Sequence, residues 1–230
     1  METLGMILFV IFVILLVLSP LLIYYFGQKR LTAIVMRVND SIEYAKRHGI
    51  TLIDKLNSLP LKGKFKLVCV NGTNSYDVAY TGEMKGFKYT LCNDYHRYRH
   101  GKGYDWDYYT YCVLEVSNLE KRIAPFLIKP ENLYVALDEA IFGEEKDIDF
   151  AEDQEFSKNF ILNGVETDVR VFFTKRIREI FISKKDFKYC YEVRGKTMLV
   201  RLGKYLNGEE RMCMLETAVD VFTQLIENAK

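Results

Sequence analysis

Twenty-two consecutive positions, Gly5 to Phe26 (GMILFVIFVILLVLSPLLIYYF), carry no charged residue. As a helix rising 1.5 Å per residue, this run would be about 33 Å long, against a hydrocarbon core of roughly 30 Å. A helix satisfies its backbone polar groups internally, as lipid requires. Membrane helices tolerate proline at a position such as Pro20, and Tyr24 and Tyr25 fall where an interfacial aromatic belt would lie. The run therefore reads as a retained transmembrane anchor. A cleaved signal peptide fits less well, because Met1 to Leu4 offer only Glu2 beside the terminal amine. The run also exceeds a signal core of about 7–15 residues, and no cysteine follows it to accept lipid.

Flanking charge sets the expected orientation. Lys29, Arg30 and Arg37 follow the span, so the positive-inside rule places the C-terminal bulk in the cytoplasm. Five cysteines (Cys69, Cys92, Cys112, Cys190, Cys213), an odd number with no CxxC pair, agree with free thiols in a reducing compartment. The expected localisation is thus the cell membrane, single-pass, with the bilayer as a partner through residues 5–26.

Three segments follow from the patterning: an anchor over residues 1–30, a short helix and linker over 31–64, and a soluble domain over 65–230. With 49% hydrophobic and 27% charged residues, the chain is neither disordered nor a polytopic transporter. Ser41 to Gly49 reads as a helix stopped by glycine. Strands are expected across about 65–116 and 187–202. Phe87, Tyr89 and Leu91 alternate with Lys88 and Thr90, and Lys85-Gly86 and Arg194-Gly195-Lys196 are turns. Helices are expected near 131–142, led by Pro130, then near 167–182 and 209–228. The fold class is α+β, mostly antiparallel sheet with helices packed on one face, behind the transmembrane helix.

The stretch from Cys92 to Asp107 holds two of the three histidines. Cys92, Asp94, His96 and His100 offer thiolate, carboxylate and imidazole, the ligand types of zinc-like ions and of a metal-assisted hydrolase. Positions four apart on a strand share a face but lie about 13 Å from each other, so the two rings converge only if a loop folds them back. The stretch also interleaves Arg97, Arg99 and Lys102 with Tyr95, Tyr98, Tyr104, Trp106, Tyr108 and Tyr109, a pattern that grips phosphates and stacks bases or lies on anionic headgroups. Asp94, Asp105 and Asp107 nearly cancel that charge, and the whole chain carries only +1, which speaks against nucleic acid. An acidic run, Glu144 to Glu155, lacks the glycine and glutamate of an EF-hand and reads as a charged surface turn opposite Lys175, Arg176 and Arg178. No GxSxG elbow, Walker loop, HExxH or dinucleotide fingerprint occurs, and no cofactor is called for.

Several segments carry a resemblance: Ala45-Lys46-Arg47-His48-Gly49, Tyr80-Thr81-Gly82-Glu83-Met84-Lys85-Gly86, Pro125 to Leu133, and Asp147-Ile148-Asp149-Phe150 with Glu155 to Gly164. In this order they resemble a family of prokaryotic N-terminally membrane-anchored proteins without a known activity. The resemblance implies an anchor and one soluble domain, and brings no catalytic residue. The reading is a single-pass membrane protein whose domain serves as a binding or scaffold module for a protein partner or anionic headgroups. A metal-assisted hydrolase at 92–107 stands second, and lipid or nucleic-acid binding through the same tip third.

Overall fold

The computed structural model describes residues 18–19, 24–25, 28–29, 32–33, 35–53, 65–68, 73–76, 79–100, 103–119, 123–131 and 147–229; for 73–76, 95–100 and 103–107 it describes backbone alone. The expected transmembrane helix is corrected: among the described residues no helix is long and apolar enough to cross a membrane. Of the uncharged run, only Leu18, Ser19, Tyr24 and Tyr25 are described, as helical and exposed. An apolar run fixes hydrophobicity, not a continuous spanning helix. With the anchor go the single-pass description, the membrane localisation with its cytoplasmic domain, and the bilayer and headgroup partners.

The chain divides into two compact units, residues 1–41 and 42–230. Helix α1 (residues 35–48) ends at Gly49, whose φ of +64° is the left-handed conformation that closes helices. Nine strands follow among the described residues: β1 (Thr51–Ile53), β2 (Thr73–Tyr76), β3 (Ala79–Met84), β4 (Phe87–His100), β5 (Gly103–Val116), β6 (Phe126–Pro130), β7 (Phe160–Gly164), β8 (Cys190–Arg194) and β9 (Thr197–Leu202). They form one antiparallel sheet in the order β1-β3-β4-β5-β9-β8-β6-β7, with β2 also pairing β4. Helices α2 (Gln154–Asn159), α3 (Glu166–Phe172), α4 (Lys175–Ile182) and α5 (Gly208–Glu227) complete the α+β fold.

The turns have local causes. Lys85 and Gly86 both take positive φ (49° and 82°), the pattern of a two-residue type I′ hairpin, so β3 and β4 pair without splaying. Helix α5 starts at a capping box: Asn207 Oδ1 accepts from Glu210 N, and Glu210 Oε2 accepts from Asn207 N.

Period-two alternation divides the sheet into two faces. One carries Leu91, Cys112, Leu114, Ile128, Tyr191, Val193, Met198 and Val200, buried together with Phe156, Phe173, Phe181, Leu215, Val219 and Phe222 of the helical layer. Phe126, Phe173 and Phe181 meet edge-on or stacked, with centroids 4.8–6.0 Å apart. The opposite face, with Cys92, Tyr109, Tyr111, Leu127, Cys190 and Leu199, is covered by Phe65, Leu67 and Val68. That cover is tied on by charge. Glu192, with only 3% of its side chain exposed, accepts from the N–H of Lys66 (2.9 Å) and of Leu67 (2.8 Å), while buried Arg201 donates to Leu67 O.

Three local expectations change. Pro130 closes strand β6 instead of opening a helix, and residues 132–146 lie outside the described residues. The helix expected over 167–182 is two, α3 and α4, separated at Phe173 and Thr174. Asp147, expected on the surface, is half-buried: its Oδ1 accepts from Leu162 N at 2.8 Å, and Ile148 N donates to Leu162 O, so this segment shields the outer edge of β7.

Candidate functional site: the β4–β5 arm

Strands β4 and β5 pair without interruption from Phe87↔Val116 to His100↔Gly103. Strand β9 accompanies β5 only over Thr110–Glu115. The rest of β5, Gly103 to Tyr109, has β4 as its sole strand neighbour among the described residues, and β4 has β2 over Asp94–Arg97 on its other side. The result is an arm about 23 Å long at roughly 3.3 Å per residue.

The root of the arm is fixed by hydrogen bonds to the β9–α5 connection. Asn93 Nδ2 donates to Leu206 O (3.0 Å), Thr110 Oγ1 donates to Lys204 O (2.8 Å), and Leu206 N donates to Thr110 Oγ1 (3.2 Å). Asn93 and Thr110 are register partners and both buried, so the arm leaves the sheet from a rigid base. On the opposite face Cys92, Asp94 and Tyr109 are buried, with the Arg201 guanidinium 5.2 Å from the Tyr109 ring centre.

Unbroken register sorts the residue types. Residues directly opposite across an antiparallel pair share a face, as do alternate residues along a strand. Positions Tyr95↔Tyr108, Arg97↔Trp106 and Arg99↔Tyr104 therefore lie on one face, with Ser75 and Thr73 of β2 opposite Tyr95 and Arg97. Asp94↔Tyr109, His96↔Asp107, Tyr98↔Asp105 and His100↔Gly103 lie on the other. The acidic residues that seemed from the sequence to cancel Arg97 and Arg99 occupy the opposite face. Of the binding residues read from the sequence, Tyr95, Arg97, Arg99, Tyr104 and Trp106 share a face, Tyr98 does not, and Lys102 lies outside the described residues.

The four candidate metal ligands also fall on one face, strung along β4. Cys92 and Asp94 are buried at the root, and His96 and His100 stand about 13 Å apart by strand rise. Two donors on one zinc-like ion lie only about 4 Å apart. Among the described residues, no group of three or more His, Cys, Asp or Glu is placed to hold a metal ion.

A second feature was not visible in the sequence. Where β6 begins, β7 ends and β8 turns into β9, a cleft of about 640 Å³ opens beside Lys66, Leu127, Val165, Val193 and Arg194. Its polar members are spread across the chain, with Lys66 and Glu192 separated by 126 positions, so no local motif announces it.

In comparison with known proteins, no family model, curated protein or solved structure matches the chain. The resemblance to a membrane-anchored prokaryotic family is therefore corrected as well, since its defining anchor finds no support among the described helices.

Proposed function

We propose that the chain is a single-stranded nucleic-acid-binding protein that uses the arm face carrying Tyr95, Arg97, Arg99, Tyr104, Trp106 and Tyr108. The observation that supports this reading is the register, which gathers four aromatic and two guanidinium residues on one face while segregating Asp94, Asp105 and Asp107 on the other. Aromatic rings stack bases without regard to sequence, and arginines neutralise the backbone between them. The spacing favours single strands. Same-face rows on the arm recur every 6.7 Å or so, about twice the 3.4 Å per nucleotide of a stacked strand. One base per row requires unstacked bases, which a duplex cannot supply. Three rows make a footprint of about three nucleotides.

The chain contains one tryptophan, Trp106, so its fluorescence reports directly on this face. Titrating the full chain at low salt with a twelve-nucleotide oligothymidylate is expected to quench that fluorescence saturably, and a duplex of equal length to compete poorly. Arg97→Ala with Arg99→Ala is expected to weaken binding about tenfold. Unchanged fluorescence at low salt, or equal competition by duplex, would overturn the assignment.

A further inference from the structure

We propose that the cleft at the β6–β7–β8 end binds a small carboxylate with an apolar body, independently of the arm. Its central element is a guanidinium held in place from behind. Arg194 donates through Nε (2.7 Å) and Nη2 (2.6 Å) to Glu192 Oε1. Glu192 is itself fixed, because its two oxygens accept from the backbone N–H groups of Lys66 and Leu67. A guanidinium has five N–H donors in a planar fork, and Glu192 occupies only the Nε–Nη2 edge. Among the described residues the terminal Nη1–Nη2 edge is left, at a side chain 41% exposed, and a second carboxylate fits it in bidentate fashion.

The other carboxylate at the cleft does not compete for that edge, since Glu166 is closed by Arg170 at 2.8 Å. Lys66 adds a second positive residue to the lining. The lining also has apolar members: Leu127, 4% exposed and on the sheet face of Glu192 and Arg194, and Val165, 62% exposed, which forms part of the wall. An anchored cation beside apolar lining residues, in a cleft within the size range of small-molecule sites, selects an amphipathic anion over a neutral or purely inorganic one.

The test uses the full chain with three probes: octanoate, 1-octanol and inorganic phosphate. Calorimetry is expected to give saturable octanoate binding with one site per chain, and at least tenfold weaker binding of octanol and of phosphate. Arg194→Met, which keeps the apolar stem, is expected to lower octanoate affinity at least tenfold. Should that variant fold poorly because Glu192 loses its partner, Val165→Trp fills the cleft from an exposed position and is expected to abolish binding with the thermal midpoint unchanged. Absence of octanoate binding, equal binding of octanol, or full retention in a folded Val165→Trp variant would overturn the proposal.

Discussion

Two aspartates on neighbouring turns illustrate how burial and pairing push a residue in opposite directions. Asp153 accepts from Arg178 Nε at 2.7 Å, and that bond, ahead of its partial burial, holds its carboxyl below the ordinary value. Asp147 is held above the ordinary value, chiefly by desolvation, despite the N–H of Leu162 favouring the charged form. Their linkage to folding has opposite signs. The Asp153 contribution is present above the ordinary aspartate pKa and is lost as pH falls through its depressed one. For Asp147, the protonated form folds more favourably, so its contribution is lost as pH rises through its raised pKa. Asp153→Asn is therefore expected to cost about 1–3 kcal/mol at pH 7, because Arg178 is almost fully buried, with the deficit shrinking in acid. Asp147→Asn keeps an acceptor for Leu162 and is expected to raise the urea midpoint at pH 7, with no gain in strong acid. Urea titrations at the two pH values check both signs. Tyr191 offers a simpler case. Its hydroxyl is buried without a hydrogen-bond partner among the described residues, and burial pushes its pKa well above the ordinary tyrosine value. Tyr191→Phe is expected to leave stability unchanged or raise it by about 1 kcal/mol, measured by thermal unfolding.

Elements were legible where one periodicity dominated. Leu215, Ala218, Val219, Phe222 and Leu225 mark a helical stripe in the sequence, and all are buried on α5. Phe87, Tyr89 and Leu91 alternate, and all are buried on β4. Strand β6 was not legible. Phe126, Leu127, Ile128 and Lys129 are all buried, so no alternation survives, and Pro130 resembles a helix start. Strand β7 escaped for a related reason: Phe156 and Phe160, spaced like one helical face, belong to α2 and to β7, and their rings still meet at 5.4 Å. The junction of β7 with β6 supplies the prediction at this scale. A Cβ on Gly164 would lie 2.7 Å from Val169 Cγ2 and 2.9 Å from the backbone oxygen of Pro125. Gly164→Ala is expected to cost about 1–3 kcal/mol in a denaturant titration, because backbone cannot yield as a flexible side chain can. Gly203, which has nothing among the described residues within 4 Å of its Cβ position, is expected to accept alanine with little change.

At the scale of the molecule, net charge says little about how charge is arranged on the sheet. A formal charge of +1 hides an arm whose two faces differ in sign. The residues of that arm were visible in the sequence as one mixed stretch. Their separation was not, because it depends on register, and a slip of one residue would exchange the faces. The structure supplies it by pairing Arg97 with Trp106 and His96 with Asp107. Likewise, the uncharged run near the N-terminus gave the strongest sequence signal and yet the largest correction, since apolar length alone does not establish a spanning helix. The most direct test of the nucleic-acid assignment is the salt dependence of oligonucleotide affinity. Each neutralised phosphate on a single strand contributes about −0.7 to the slope of log K against log salt, so two arginines give about −1.4. The account predicts that slope for the full chain, and a slope near zero once Arg97 and Arg99 are both alanine. The same slope in both proteins would contradict it.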